Sequence, residues 1–183
     1  MKLVQVPLSD LDEVRASLHR EIANGRRADF FRSMGVNPAG ALPGPFNVMI
    51  RAPQVGRALH RVGEALRYGG VLPDLVRESV ILSVASAKDS PFEWRSHEPI
   101  ARAAGADDAF LEALRTNDLE HITDDRCRMA VAAVTPLLAG GSVDETALGK
   151  VYAEWGEEGA VELVVLTAYY VLLADLMRAF EVD

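Results

Sequence analysis

The sequence predicts an all-α protein, on three observations. Apolar residues recur at helical spacing through most of the chain, as Leu59, Val62, Gly63 and Leu66 do. No long stretch alternates apolar and polar residues with the short period of a half-buried strand. Most prolines and glycines fall between the periodic stretches, where helices start and stop. There is no repeat and no low-complexity segment.

Each helix has its own signals. Ser9 is a candidate cap for a first helix from about Asp10 to Ala23, whose early acids suit the positive end of the helix dipole; Gly25 ends it. Gly35 to Pro53 is rich in proline and glycine and reads as an ordered loop, because Leu42, Phe46, Val48, Met49 and Ile50 are interleaved and favour burial. A second helix runs from about Pro53 to Arg67. Pro73 is placed to open a third, which is apolar over most of its surface from Leu75 to Ala85 and so belongs at the centre. Lys88, Asp89 and Ser90 make a short break, and Pro91 restarts a fourth helix. Pro99 would kink that helix or begin a new turn, since it donates no hydrogen bond. The pattern resumes to about Ala104 and stops at Gly105. Helices at about Asp107 to Leu114 and Thr123 to Leu138 follow, with Pro136 near the second one's end. After the Gly140–Gly141 turn, Ser142 or Asp144 caps a helix to about Trp155. The last helix runs from about Glu157 to Phe180, with an uncharged middle from Val164 to Leu173 that suggests burial in a core or a subunit interface.

Composition narrows the function. A chain of 183 residues suits one domain, taken as residues 1–183. With 49% apolar and 25% charged residues it has the make-up of a soluble globular protein. A net charge of −8 gives no electrostatic footprint for nucleic acid and no polybasic stretch for a membrane surface. The lone cysteine, Cys127, excludes an internal disulfide and a cysteine metal cluster, and fits a reducing cytoplasm. The N-terminus lacks the pattern of a signal peptide. Leu163 to Ala174, bracketed by Glu162 and Asp175, is short of the roughly 20 apolar residues that span a bilayer.

Glu78, Glu93 and His97 form the constellation with chemistry in it. Glu78 lies on the central helix in a stripe with Leu75, Leu82 and Ala85, so it faces the packed side. Glu93 and His97 are four apart on the next helix and share a face. The short break lets the two helices fold back and bring the three side chains together. Buried carboxylates resist ionisation, and an adjacent imidazole accepts or returns a proton, which supplies general acid–base catalysis near neutral pH. The alternative is a buried Glu–His hydrogen bond that only ties two helices. A metal reading has less support. Two carboxylates and a histidine can ligate iron, manganese or zinc. Di-metal bundles, though, repeat a Glu-x-x-His motif, whereas Glu93 and His97 are spaced differently and have no second copy. His19, His60 and His121 read as surface or capping residues. Cys127 sits between Arg126 and Arg128, a setting that can lower a thiol pKa, although an isolated thiol also serves simply for packing.

The same residues carry a family likeness. Gly44-Pro45-Phe46-Asn47 leads through Arg51-Ala52-Pro53 to Gly63-Glu64-Ala65-Leu66-Arg67, then Leu72-Pro73, Arg77-Glu78 and Val80-Ile81-Leu82. Phe92-Glu93-Trp94, His97 and Ala103-Ala104-Gly105 follow. This order resembles the carboxymuconolactone decarboxylase family and its relative alkylhydroperoxidase D, over about Ala41 to Ala113. The resemblance implies an alkylhydroperoxidase D-like helical bundle. The family's redox members carry a glutamate, two cysteines separated by two residues, and a histidine four positions later. Here the glutamate matches Glu78 and the histidine His97, while Ser90 and Glu93 stand at the cysteine positions, so dithiol peroxide reduction is not available.

What remains resembles the decarboxylase branch. The resemblance implies a homo-oligomer, a trimer or hexamer with sites near subunit interfaces, and no cofactor. The expected function is a cofactor-independent acid–base lyase or isomerase on a small carboxylated lactone or ring compound, as in the breakdown of aromatic acids. His97 would move the proton, Glu93 would orient it or act as partner acid, and Glu78 would hold the relay. Arg51 is the candidate for the substrate carboxylate, and Trp94 for a pocket wall. Two alternatives stay open: a non-catalytic oligomeric binding protein of the same fold, and a peroxidase-like protein acting through Cys127 and an external thiol.

Overall fold

A computed structural model describes residues 2–33 and 39–182. Among these residues the chain forms nine α-helices and two short 3-10 turns, with no strand, so the all-α class expected from the sequence is the one adopted. They gather in two compact units, Met1–Gly69 with Asp175–Asp183, and Gly70–Ala174.

The first unit holds α1 (Glu13–Asn24), α2 (Ala28–Ser33), α3 (Gly44–Met49) and α4 (Pro53–Tyr68). Asp12, not Ser9, caps α1 by accepting the Arg15 N–H at 2.9 Å. The Ser9 hydroxyl is engaged elsewhere, donating to the Asp10 carboxylate at 2.8 Å. The expected loop is only partly a loop. Gly35 and Pro38 lie outside the described residues, and Gly44–Met49 is helical because Pro45 falls in the first turn, where its missing N–H costs nothing. Leu42, Phe46, Val48, Met49 and Ile50 are buried, as their interleaving predicts. Gly56 lets α4 pass close to α3, since a side chain there would run into the Met49 carbonyl. The six-residue α2 was not anticipated; so short an element shows no period.

The second unit holds α5 (Asp74–Ala87), α6 (Pro91–Ala103), α7 (Asp108–Thr116), α8 (Asp125–Leu138) and most of α9 (Glu145–Phe180). α5 is buried without interruption from Val76 to Ala85 and packs against α6, α7 and α8, the central place its composition predicts. Asp107, Asp124 and Asp144 cap α7, α8 and α9, each accepting a backbone N–H at 2.8–2.9 Å. α6 runs through Pro99 as one helix. α9 is broken at Gly156, whose φ of 71° and ψ of −171° leave the helical region, so 145–155 and 157–180 are the two predicted helices. One sequence expectation changes here. α9 is long and apolar enough to cross a membrane by length and composition, because the helix carries the apolar run past Glu162 and Asp175; half of that stretch is buried within the protein.

The start of α5 is fixed by Glu162 of α9. This buried carboxylate accepts the Val71 N–H at 2.6 Å and the Leu72 N–H at 3.3 Å. Gly70 leaves room beside it, since a side chain there would overlap the carboxylate and force Glu162 to shift.

Candidate active site

The site is built by the α5–α6 turn. The last carbonyls of α5 are closed by the N–H groups of Lys88, Asp89 and Ser90, the last bonding to Ala85 at 2.9 Å. Asp89 takes a left-handed conformation (φ 49°), which aspartate tolerates better than most residues and which reverses the chain. α6 then returns along α5 and sets its Glu93–His97 face opposite Glu78.

The three predicted residues meet. His97 Nδ1 lies 2.6 Å from Glu78 Oε2, and His97 Nε2 lies 3.4 Å from Glu93 Oε2. Exposures are 2% for Glu78, 3% for Glu93 and 4% for His97. Burial alone would push the imidazole toward its neutral form. The Glu78 carboxylate, with Glu93 adding to it, outweighs that effect and holds the His97 pKa above its ordinary value. The two carboxylates thus favour the protonated imidazole, whose Nδ1–H donates to Glu78 while Nε2 faces Glu93. Glu93 Oε1 is buried and has no hydrogen-bond partner. Such an oxygen is costly to leave unpaired, so it stands ready for a donor that the protein itself does not supply.

Two further side chains enter the picture that the sequence reasoning had not assigned to the site. The Tyr170 ring packs edge-on against His97, with centroids 5.1 Å apart and planes at 89°, and Tyr169 packs edge-on against Tyr170. Both lie in the uncharged middle of α9, where polar tips in an apolar run were the available signal. Ser96, next to His97, is also buried, and its hydroxyl has no partner.

The remaining candidates fare differently. Trp94 is buried, donates from Nε1 to Glu98 at 2.7 Å, and lines a cleft of about 370 Å³ together with Ser90, Pro91, Arg95 and Arg115. Arg51 belongs to the first unit, where its guanidinium donates to the Val4 carbonyl. His60 and His19 are buried, correcting the surface reading. His19 Nε2 lies 2.7 Å from the Gly40 carbonyl oxygen, while neither His60 nitrogen has a hydrogen-bond partner and Nε2 lies 3.7 Å from Glu64. His121 is exposed and pairs with Asp118. Cys127 is fully buried, and burial pushes its thiol up to about 12, so the flanking arginines do not activate it. Among the described residues, no group of three or more His, Cys, Asp or Glu side chains is arranged to hold a metal ion.

Residues 53–136 match the family model of the carboxymuconolactone decarboxylase family. Solved structures of the debrominase Bmp8 have the same fold. A cysteine-to-alanine variant in complex with 2,3,4-tribromopyrrole superposes with a TM-score of 0.71 and the apo protein with 0.70. Each is 16% identical, over 100% of this chain and 92% of that one, a level that speaks for the fold alone. No curated protein matches the chain.

Proposed function

Since the chain carries a carboxymuconolactone decarboxylase family segment at residues 53–136, we propose that it is a cofactor-independent acid–base lyase or isomerase on a small carboxylated lactone or ring compound. The observation that supports this most is the buried chain Glu78–His97–Glu93, with links of 2.6 and 3.4 Å. Loss of carboxylate as carbon dioxide leaves its electron pair on carbon, delocalised as an enolate, and that carbon must then be protonated. A buried imidazolium is a suitable donor, and Glu78 holds its orientation and balances its charge. The unpartnered Glu93 oxygen can take a substrate proton, which in an isomerase is returned at the other end of the shifted double bond. Glu78 is thus a positioning residue, while His97 and Glu93 are the groups meant to touch substrate. One Arg51 donor is committed to Val4, so that residue is not carried into the mechanism.

The test is turnover of carboxymuconolactone and related lactones, followed by product formation. His97→Ala is expected to lose about 10²–10⁴-fold in rate, the usual worth of a general acid. Equal turnover in both proteins, or none in either, removes the assignment. The near-complete burial of all three residues favours a second reading, a non-catalytic binding protein of the same fold. A bound ligand found away from His97 supports it. The peroxidase alternative does not stand, because the Cys127 thiol is buried and its pKa is raised to about 12. A cysteine-dependent reaction at the α5–α6 turn is closed because Ser90 and Glu93 stand there in place of cysteines.

A further inference from the structure

We propose that the cleft among the end of α5, the start of α6 and the end of α7 binds a small planar monocarboxylate, with Arg115 as its anchor. The cleft holds about 370 Å³, within the range of small-molecule sites. One wall is a preformed cation–π stack: the Arg115 guanidinium lies 3.9 Å above the Trp94 ring. The indole cannot swing away freely, because its N–H is held by Glu98 at 2.7 Å. Stacking occupies the face of the guanidinium and leaves its edge, which carries the N–H donors. Its nearest acid on α7, Glu112, is 3.7 Å from Nε, too far for a hydrogen bond. A flat cation with an unspent donor edge is the geometry that receives a carboxylate in two parallel bonds.

The floor points the same way. Ser90 lines the cleft and is only 8% exposed, yet its hydroxyl does not cap α6. Pro91 has no N–H to offer, and the first backbone donor paired within the helix is that of Trp94, to the Ser90 carbonyl at 3.1 Å. The N–H groups of Phe92 and Glu93 are therefore first-turn donors with no helical acceptor, at the positive end of a 13-residue helix. Arg95 adds a second cation to the wall and Asp89 one anion, while Glu98 and Glu112 stand next to Trp94 and Arg115. The ring attached to the carboxylate would lie along the stacked wall. Ser90, Glu93 and His97 follow at spacings of three and four on one helix face, but Glu93 and His97 lie beneath the cleft and do not line it. For its purpose the site rests on the lyase or isomerase reading, but its occupancy does not.

The experiment uses Trp155→Phe, which leaves Trp94 as the only tryptophan. Benzoate is titrated against its fluorescence, with benzyl alcohol as the neutral match, and isothermal titration gives the Kd independently of the indole. Benzoate is expected to produce a saturable change. Arg115→Ala is expected to weaken it about tenfold, the worth of a charged hydrogen bond, and Arg115→Lys to restore part of the loss. No saturable binding, the same Kd in Arg115→Ala, or equal binding of benzyl alcohol overturns the proposal. His97→Ala separates the two ideas. Benzoate binding that survives alongside unchanged lactone turnover sinks the acid–base reading and leaves the site standing. Intact, His97-dependent turnover with no benzoate binding sinks the site alone.

Discussion

His97 and His60 are both buried, but they respond to pH with opposite signs. Burial lowers both pKa values first. At His97 the carboxylate of Glu78 at 2.6 Å overcomes it and the net direction is up; at His60 the nearest carboxylate, Glu64, is 3.7 Å away and the net direction is down. A raised pKa means that the ion-pair contribution of His97 is complete below the ordinary imidazole value of 6.5 and is lost as pH rises through the higher folded value. His97→Gln should therefore destabilise the protein more at about pH 6 than at about pH 9. His60, with a lowered pKa, resists protonation, so stability is lost as pH falls below 6.5 through its folded value, and His60→Gln should reduce that acid sensitivity. Urea unfolding of both variants across this range reads the two slopes; parallel slopes would contradict the assignment. Cys127 offers a simpler check. With its thiol buried and raised to about 12, it is expected to ignore a thiol reagent at neutral pH until the protein is unfolded. Rapid labelling of the folded protein would be the contrary result. The acid–base trio could be read from the chain because spacing by four and a helical stripe dictate shared faces. The burial of His60 and Cys127 could not. Their charged neighbours Arg61, Arg126 and Arg128 are adjacent in sequence and so project from other sides of the helix.

Individual helices owe much of their position to a few polar groups at their ends. Glu162 is the clearest, since one carboxylate of α9 accepts the two N–H groups just before α5. Removing it leaves the buried Leu72 N–H without a partner, which costs about 1–3 kcal/mol, while the Val71 N–H is only part-buried. Glu162→Ala is expected to lower unfolding stability by an amount in that range, and a change within error would show that water replaces the carboxylate. A glycine at position 70 fits the same joint. Helix existence is legible because the apolar period is strong in α4, α5 and α8, and because Pro53, Pro73 and Pro91 stand at or next to the starts of α4, α5 and α6. Sequence places the cap of α1 at Ser9 and the structure at Asp12, because both are good capping types and only the hydrogen bonds distinguish them. In sequence Glu162 is the charged end of an apolar stretch; its partners lie about ninety residues back in the chain, a pairing that no local pattern announces.

Several exposed apolar residues remain on the last helix: Val161, Val165 and Leu172, at 58%, 42% and 39% exposure. Their spacings of four and seven put them on one stripe of the helix. The trimer or hexamer implied by the family likeness can be tested on this stripe. Val165→Glu places a charge in it and is expected to shift the protein to a smaller species by light scattering; an unchanged mass would move the interface elsewhere. Sequence reasoning reached the helical class of the whole chain through period and breakers. It did not foresee α2 or the helical turn at Gly44–Met49, which are too short to show a period. The break at Gly156 has a separate consequence for how the protein opens. Its backbone lies where a residue with a β-carbon is strongly disfavoured, and it departs from helical geometry in the middle of α9. Amide protons of residues 145–155 can then exchange with solvent through a local fluctuation that leaves 157–180 closed, so what looks like one rod behaves as two units of cooperativity.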